Sequence, residues 1–134
     1  MSQQKLIIRP VMTVTRKLAA DVDAPYVPVV PTANEGEVAV ADSQNAEVEG
    51  ILCQTGKQGD LVPIVIDGIV PIKISAAVDR LDHLMTSANS MAFKAPLTSG
   101  TTYNVFGRAL TKATVAEEFV SVQLTPGAKI NIKA

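Results

Sequence analysis

A chain of 134 residues that is 47% hydrophobic but only 4% aromatic has the size of one domain with an aliphatic core. Its 12 basic and 13 acidic residues leave a net charge of −1, and the basic residues are scattered. This argues against nucleic acid as a partner, because nucleic-acid-binding proteins usually carry a basic patch. No apolar run approaches the roughly 18 residues of a membrane-spanning helix, so no membrane partner is expected.

The first 31 residues predict an extended N-terminal arm. Two apolar stretches, residues 6–8 and 11–15, flank Pro10. Because proline cannot donate a ladder hydrogen bond, this segment is expected at a sheet edge or free of a sheet. Three further prolines before residue 32 keep the backbone extended and block a helix. The predicted division is therefore an arm over residues 1–31 and a compact β domain over residues 32–134.

Short β-branched runs between turn residues predict the strands of the compact domain. These runs cover residues 37–40, 48–54, 61–66, 69–74, 91–94, 105–110 and 119–124. Asp67-Gly68 lies between two such runs, a pattern typical of a type I′ turn, and predicts a hairpin there. Gly50 is expected at a bulge or a close backbone contact. A turn over residues 125–127 is expected to end the strand that begins at residue 119.

Residues 75–85 are the one segment with helical spacing of apolar residues, although a strand over residues 81–85 fits equally well. Turn signals elsewhere recur about every 8 to 12 residues, as in sandwiches and barrels. The sequence thus predicts an all-β fold: a small antiparallel β-barrel or sandwich with an extended N-terminal arm and at most one short helix.

Side chains suited to catalysis are few. His83 is the only histidine, and it lies near Asp79 and Asp82, but no nucleophile or third metal ligand accompanies these residues. A solvated polar patch is the simpler interpretation of the three. Cys53 lies in an apolar run and is expected to be buried and unreactive. We expect no enzyme, no cofactor and no metal site. The N-terminus lacks the apolar core of a signal peptide, which predicts synthesis in a reducing cytoplasm.

Several segments resemble, in order, those of a known family. Residues 67–70 resemble a strand that follows a glycine turn, and residues 76–89 occupy the place of a unit with an acidic residue and an apolar pair. Residues 105–110 resemble a V-x-G-x-A-L strand, and residues 119–124 a closing strand. Together they resemble the capsid cement proteins, or head decoration proteins, of tailed bacteriophages.

The resemblance covers about residues 35–127 and departs from the family pattern at Leu81-Asp82 and Ser90, where glycines are common. It implies a structural virion protein that binds the outer capsid surface, bridges neighbouring major capsid subunits and stabilises the mature head. It also implies a homo-oligomer, with a trimer favoured over a dimer, located on the capsid surface after synthesis in the host bacterial cytoplasm. The alternatives are another small β-barrel virion component, such as a tail or connector protein, or a non-enzymatic ligand- or peptide-binding module.

The arm is the predicted interface. Its apolar residues have no helical pattern, and we expect residues 5–15 to add a strand to the sheet edge of a neighbouring chain. The alternative is that the arm packs on its own domain. The predicted interface residues are Lys5, Leu6, Ile7, Ile8, Arg9, Val11, Met12 and Val14.

Overall fold

The computed structural model describes residues 8–132, which form an all-β fold with no helix, in agreement with the predicted class. The strands of this part of the chain are β1 Arg9–Leu18, β2 Val27–Pro31, β3 Glu37–Val40, β4 Gly50–Leu52, β5 Leu61–Lys73, β6 His83–Thr86, β7 Ala92–Lys94, β8 Thr102–Ala109 and β9 Phe119–Asn131. The segment with helical spacing forms turns that lead into β6. Over the described range, no helix is both long and apolar enough to span a membrane.

The first half of the molecule is a closed barrel. β1, β3, β2, β4 and β5 are neighbours in that order, and an additional pairing of β1 with β5 closes the ring of five strands. Neighbouring strands run antiparallel except β1 and β3, which pair in parallel where Lys17 meets Glu37. Gly50 confirms the expected close contact, because a Cβ there would lie 2.5 Å from the carbonyl oxygen of Val65. The aliphatic core of this barrel consists of Leu18, Val22, Val29, Val38, Leu52, Val62 and Ile64.

β5 is one continuous strand of 13 residues, so the predicted hairpin with a turn at Asp67-Gly68 is wrong. A type I′ turn needs positive φ at both central residues. Gly68 has a φ of 129°, but Asp67 is not among the residues with positive φ. The first part of β5 pairs with β1, and the part from Ile69 to Lys73 pairs with β9. Gly68 lies at the point where β5 passes from the barrel into the second half of the molecule.

The second half continues the sheet in the order β5, β9, β8, β6 and β7. A single parallel bridge between Ile74 and Ala92 brings β7 back to the end of β5. In β9, Val120, Val122 and Leu124 are buried, as their alternation predicts, although β9 continues beyond the expected turn to Asn131. A second core lies mainly here, and its largest members are Ile51 of β4 together with Ile72, Ile74, Leu84 and Phe106.

Residues 9–31 are part of this sheet. β1 pairs with β5 along Arg9 to Lys17, and β2 pairs with both β3 and β4. The boundary predicted at Pro31 therefore falls between strands of one barrel. Pro10 is accommodated because it lies opposite Gly68 beside an irregularity in the register between Pro10 and Thr13. Of the two arrangements considered for residues 5–15, the strand from Arg9 onward pairs with its own chain.

Candidate interaction surfaces

β1 presents an open edge. On one side it pairs with β5, whereas on the other side only Lys17 and Leu18 meet a strand within the described residues, namely β3. The Lys17 N–H donates to the carbonyl oxygen of Gly36 at 2.9 Å on that second side. Because successive amides of a strand alternate in direction, the N–H groups of Thr13 and Thr15 point to the same side. An unpaired edge of this kind can accept a further strand.

The predicted interface residues divide between surface and core. Ile8 and Met12 are 51% and 53% exposed, which is high for large apolar side chains, and Arg9 is also exposed. Val14 is partly buried and packs against the barrel core. Lys5, Leu6, Ile7 and the side chain of Val11 lie outside the described part of the structure. Among the described side chains, the exposed large apolar ones here are thus Met12 in β1 and Ile8 directly before it.

A cleft of about 370 Å³ lies where the barrel meets the second half of the sheet. Its walls are residues 21–27 before and at the start of β2, Lys73 at the end of β5, Phe119 at the start of β9, and residues 89–91 between β6 and β7. The rings of Tyr26 and Phe119 meet edge to face, with centroids 6.1 Å apart and planes at 80°. The Lys73 ammonium lies 5.6 Å from the Phe119 ring centroid. This volume is within the range typical of ligand-binding clefts.

Backbone strain occurs on two walls of this cleft. Tyr26 has a φ of 60° and Ser90 a φ of 62°. A bulky residue with positive φ is a conformational outlier that costs about 1–3 kcal/mol and is found preferentially at functional sites. Here the strained backbone at Tyr26 places its ring against Phe119.

Two carboxylates make one rim of the cleft acidic. Asp21 accepts a hydrogen bond from the Gln58 N–H at 2.8 Å and lies 3.8 Å from the Lys57 ammonium. Asp23 is exposed, and within residues 8–132 no hydrogen bond or ion pair engages its carboxylate. The cleft therefore combines an aromatic corner with an acidic side chain that is available to a partner.

Only weak signals of this cleft are present in the sequence. Tyr26 and Phe119 are isolated aromatics in the sequence, and both are only half-buried in the structure. The one local signal is the set of prolines around Tyr26, which fixes the path of the chain before β2.

The segment with Asp79, Asp82 and His83 forms a turn. Asp82 Oδ2 accepts the Asp79 N–H at 2.8 Å, and Oδ1 lies 3.9 Å from the Lys94 ammonium. The Arg108 guanidinium donates to the carbonyl oxygen of Leu81, which has a φ of 71°. These contacts stabilise the turn before β6. No group of three or more potential metal ligands occurs among residues 8–132.

The Cys53 thiol packs against the second core. Burial raises the pKa of this thiol from 9.0 to about 11, which keeps it protonated at neutral pH. The side chain is half-buried, whereas the sequence predicts a buried one. That the thiol is unreactive stays a prediction.

No family model and no curated protein sequence matches this chain. Among solved structures, it is similar to the N base of the head fiber gp8.5 in bacteriophage phi29. The TM-score is 0.61 at 18% sequence identity, over 85% of this chain and 93% of that one. This chain shares the fold of that head fiber base. At this level of identity, the similarity concerns the fold alone.

Proposed function

We propose that this chain is a structural component of a bacteriophage virion that binds the outer capsid surface and bridges neighbouring major capsid subunits. The observation that carries this proposal is the fold, which 85% of the chain shares with a phage head fiber protein. The resemblance of residues 105–110 and 119–124 to strands of capsid cement proteins also supports it. The function is adhesion, and the proposal assigns no catalytic step or cofactor.

The open edge of β1 provides a surface for this binding. A strand of a capsid subunit can pair with the outward-facing amides of Thr13 and Thr15, while Met12 buries apolar area against it. One strand gives modest affinity, since ordering a partner segment has an entropic cost. A homo-oligomer, with a trimer favoured, engages several capsid subunits at once and multiplies that affinity. Such bridges raise the work needed to separate the subunits.

A second candidate is an anchor that attaches an appendage to the head. The structural neighbour is described as the base of a head fiber, which favours this alternative. An anchor would occupy the head without strengthening it. The two functions therefore differ in what occupancy does to the stability of the filled head.

The test uses heads purified from phage lacking this chain. We expect the added protein to co-sediment with these heads and, in an image reconstruction, to span neighbouring capsid subunits. We also expect the temperature of DNA release to rise by several degrees. Occupancy without a rise in that temperature would overturn the bridging role in favour of the anchor. Failure to co-sediment would overturn both.

A further inference from the structure

We propose that the cleft between Tyr26 and Phe119 binds residues 5–8, Lys5-Leu6-Ile7-Ile8, of a second copy of this chain. The proposal rests on the homo-oligomer of the proposed function and names the contact that would hold it together. It concerns the cleft and leaves the open edge of β1 free for another partner.

The cleft matches this segment in polarity. Tyr26, Phe119 and Met91 are half-buried, so they retain apolar surface that an aliphatic side chain can cover. Leu6, Ile7 and Ile8 form a run of three aliphatic residues, and Ile8 is 51% exposed on its own chain. Covering such surface removes apolar area from water, which favours association.

The charges are also complementary. Lys5 directly precedes the aliphatic run, and the Asp23 carboxylate on the cleft rim has no partner within the described residues. Asp21 adds a second negative charge nearby, although it is shared with Lys57. The ammonium of Lys73 is directed over the Phe119 ring. An incoming lysine therefore has a carboxylate available at the rim while the aliphatic residues enter the cleft.

The geometry of β5 favours the arm of a second copy over the chain's own arm as the occupant of the cleft. β1 begins with Arg9 opposite Ile69, so a continued ladder would place residue 7 opposite Pro71. Ser121, which faces Pro71 in β9, directs its backbone groups toward Leu110 and Thr111 on the other side. The backbone nitrogen of Pro71 therefore faces the side on which β1 lies, and it carries no hydrogen. β5 therefore lacks one ladder donor at Pro71, which weakens the pairing that would guide a chain's own arm toward its own cleft.

Charge reversal tests the contact by oligomer mass in solution. We expect Lys5→Glu and Asp23→Lys each to lower the mass toward that of a monomer at concentrations where the native chain is oligomeric. The double variant should recover the oligomer. Glu35→Lys is the matched control, because Glu35 is exposed outside the cleft, and it should leave the mass unchanged. A monomeric native chain, or single variants that remain oligomeric, would overturn the proposal.

Cross-linking separates the second copy from the chain's own arm. In a Cys53→Ala background, Lys5→Cys protein is mixed with Asp23→Cys protein and treated with a short bismaleimide. A cross-linked heterodimer is expected. A chain carrying both Lys5→Cys and Asp23→Cys in the same background is treated in parallel. If this double variant cross-links within itself and the mixture gives no heterodimer, the cleft binds its own arm and the proposal is overturned. Absence of both products also overturns it. Because neither experiment contains capsids, failure of head binding bears on the proposed function alone.

Discussion

Asn104 donates two hydrogen bonds to Asn45. The backbone N–H of Asn104 donates to Asn45 Oδ1 at 2.8 Å, and Asn104 Nδ2 donates to the backbone oxygen of Asn45 at 2.9 Å. Beside them, Thr86 Oγ1 donates to Ser43 O and accepts the Ala46 N–H. The connection between β3 and β4 is thereby fixed to β6 and β8. It ties the barrel to the second half of the sheet.

Loss of the Asn45 side chain should weaken this tie. We expect Asn45→Ala to lower the free energy of unfolding by about 1–3 kcal/mol, because the part-buried Asn104 N–H loses its acceptor and the exposed Thr102 carbonyl oxygen loses the Asn45 Nδ2 donor. Asn45→Gly should cost less, since glycine adopts the φ of 61° found there without strain. Urea denaturation measures both. Asn131→Ala, at an exposed position, is the control and should stay within about 0.5 kcal/mol of the native chain. Equal stability of all three variants would contradict the role of this pair.

Gly107 is predicted to be irreplaceable for steric reasons. A Cβ at this position would lie 2.7 Å from the carbonyl oxygen of Gln123 in β9, and backbone cannot move aside cheaply. We expect Gly107→Ala to lower the unfolding free energy by about 2–3 kcal/mol. Gly36→Ala is the comparison, because it has open space around it and only its φ of +75° to oppose alanine, at about 1 kcal/mol. If urea denaturation gave Gly36→Ala the same loss of unfolding free energy as Gly107→Ala, this steric explanation would be contradicted.

The sequence predicts strands well where their signals are local. Residues 37–40 form β3 with the predicted bounds, because Gly36 and the polar residues after Val40 mark both ends. It fails at Asp67-Gly68, where the local turn signal is overridden by distant strands. β5 stays extended because β1, some fifty residues earlier, and β9, fifty residues later, pair with its two halves. A pattern that spans a few residues cannot contain those partners.

The two candidate surfaces differ in how far the sequence predicts them. The exposure of Ile8 and Met12 could be anticipated, because apolar residues around Pro10 do not alternate in a way that fits one buried face. The cleft could not, because Tyr26, Lys73 and Phe119 come from three separate segments that meet only in the folded sheet. Their spacing in the sequence does not predict that they meet.

The raised pKa of Cys53 predicts how its reactivity and the stability of the fold depend on pH. Because burial raises the pKa of the folded thiol to about 11, alkylation by iodoacetamide should be slow at pH 8 and should increase as the pH approaches 11. The folded state holds this proton more tightly than the unfolded state, whose thiol has a pKa near 9.0. The thiol's stabilising contribution is therefore full below pH 9 and is lost as the pH rises to about 11.

Cys53→Ala removes this titration, so its unfolding free energy should fall less between pH 9 and pH 11 than that of the native chain. Guanidinium denaturation at several pH values measures the difference. Rapid alkylation of the folded chain at pH 8, at the rate found in denaturant, would contradict the burial of the thiol.

Thr15→Pro should block the open edge of β1 without unfolding the barrel. The Thr15 N–H points away from β5, so proline removes no ladder hydrogen bond within the chain but takes away a donor that a capsid strand would need. We expect at least a tenfold loss of affinity for heads in co-sedimentation, with the unfolding free energy within about 1 kcal/mol of the native value. Thr15→Val keeps the N–H and the branched shape, and it should bind heads normally. The oligomer mass of Thr15→Pro should be unchanged, because the cleft is intact. Native affinity of this variant for heads would contradict strand addition at β1, and head binding would then have to use another surface of the molecule.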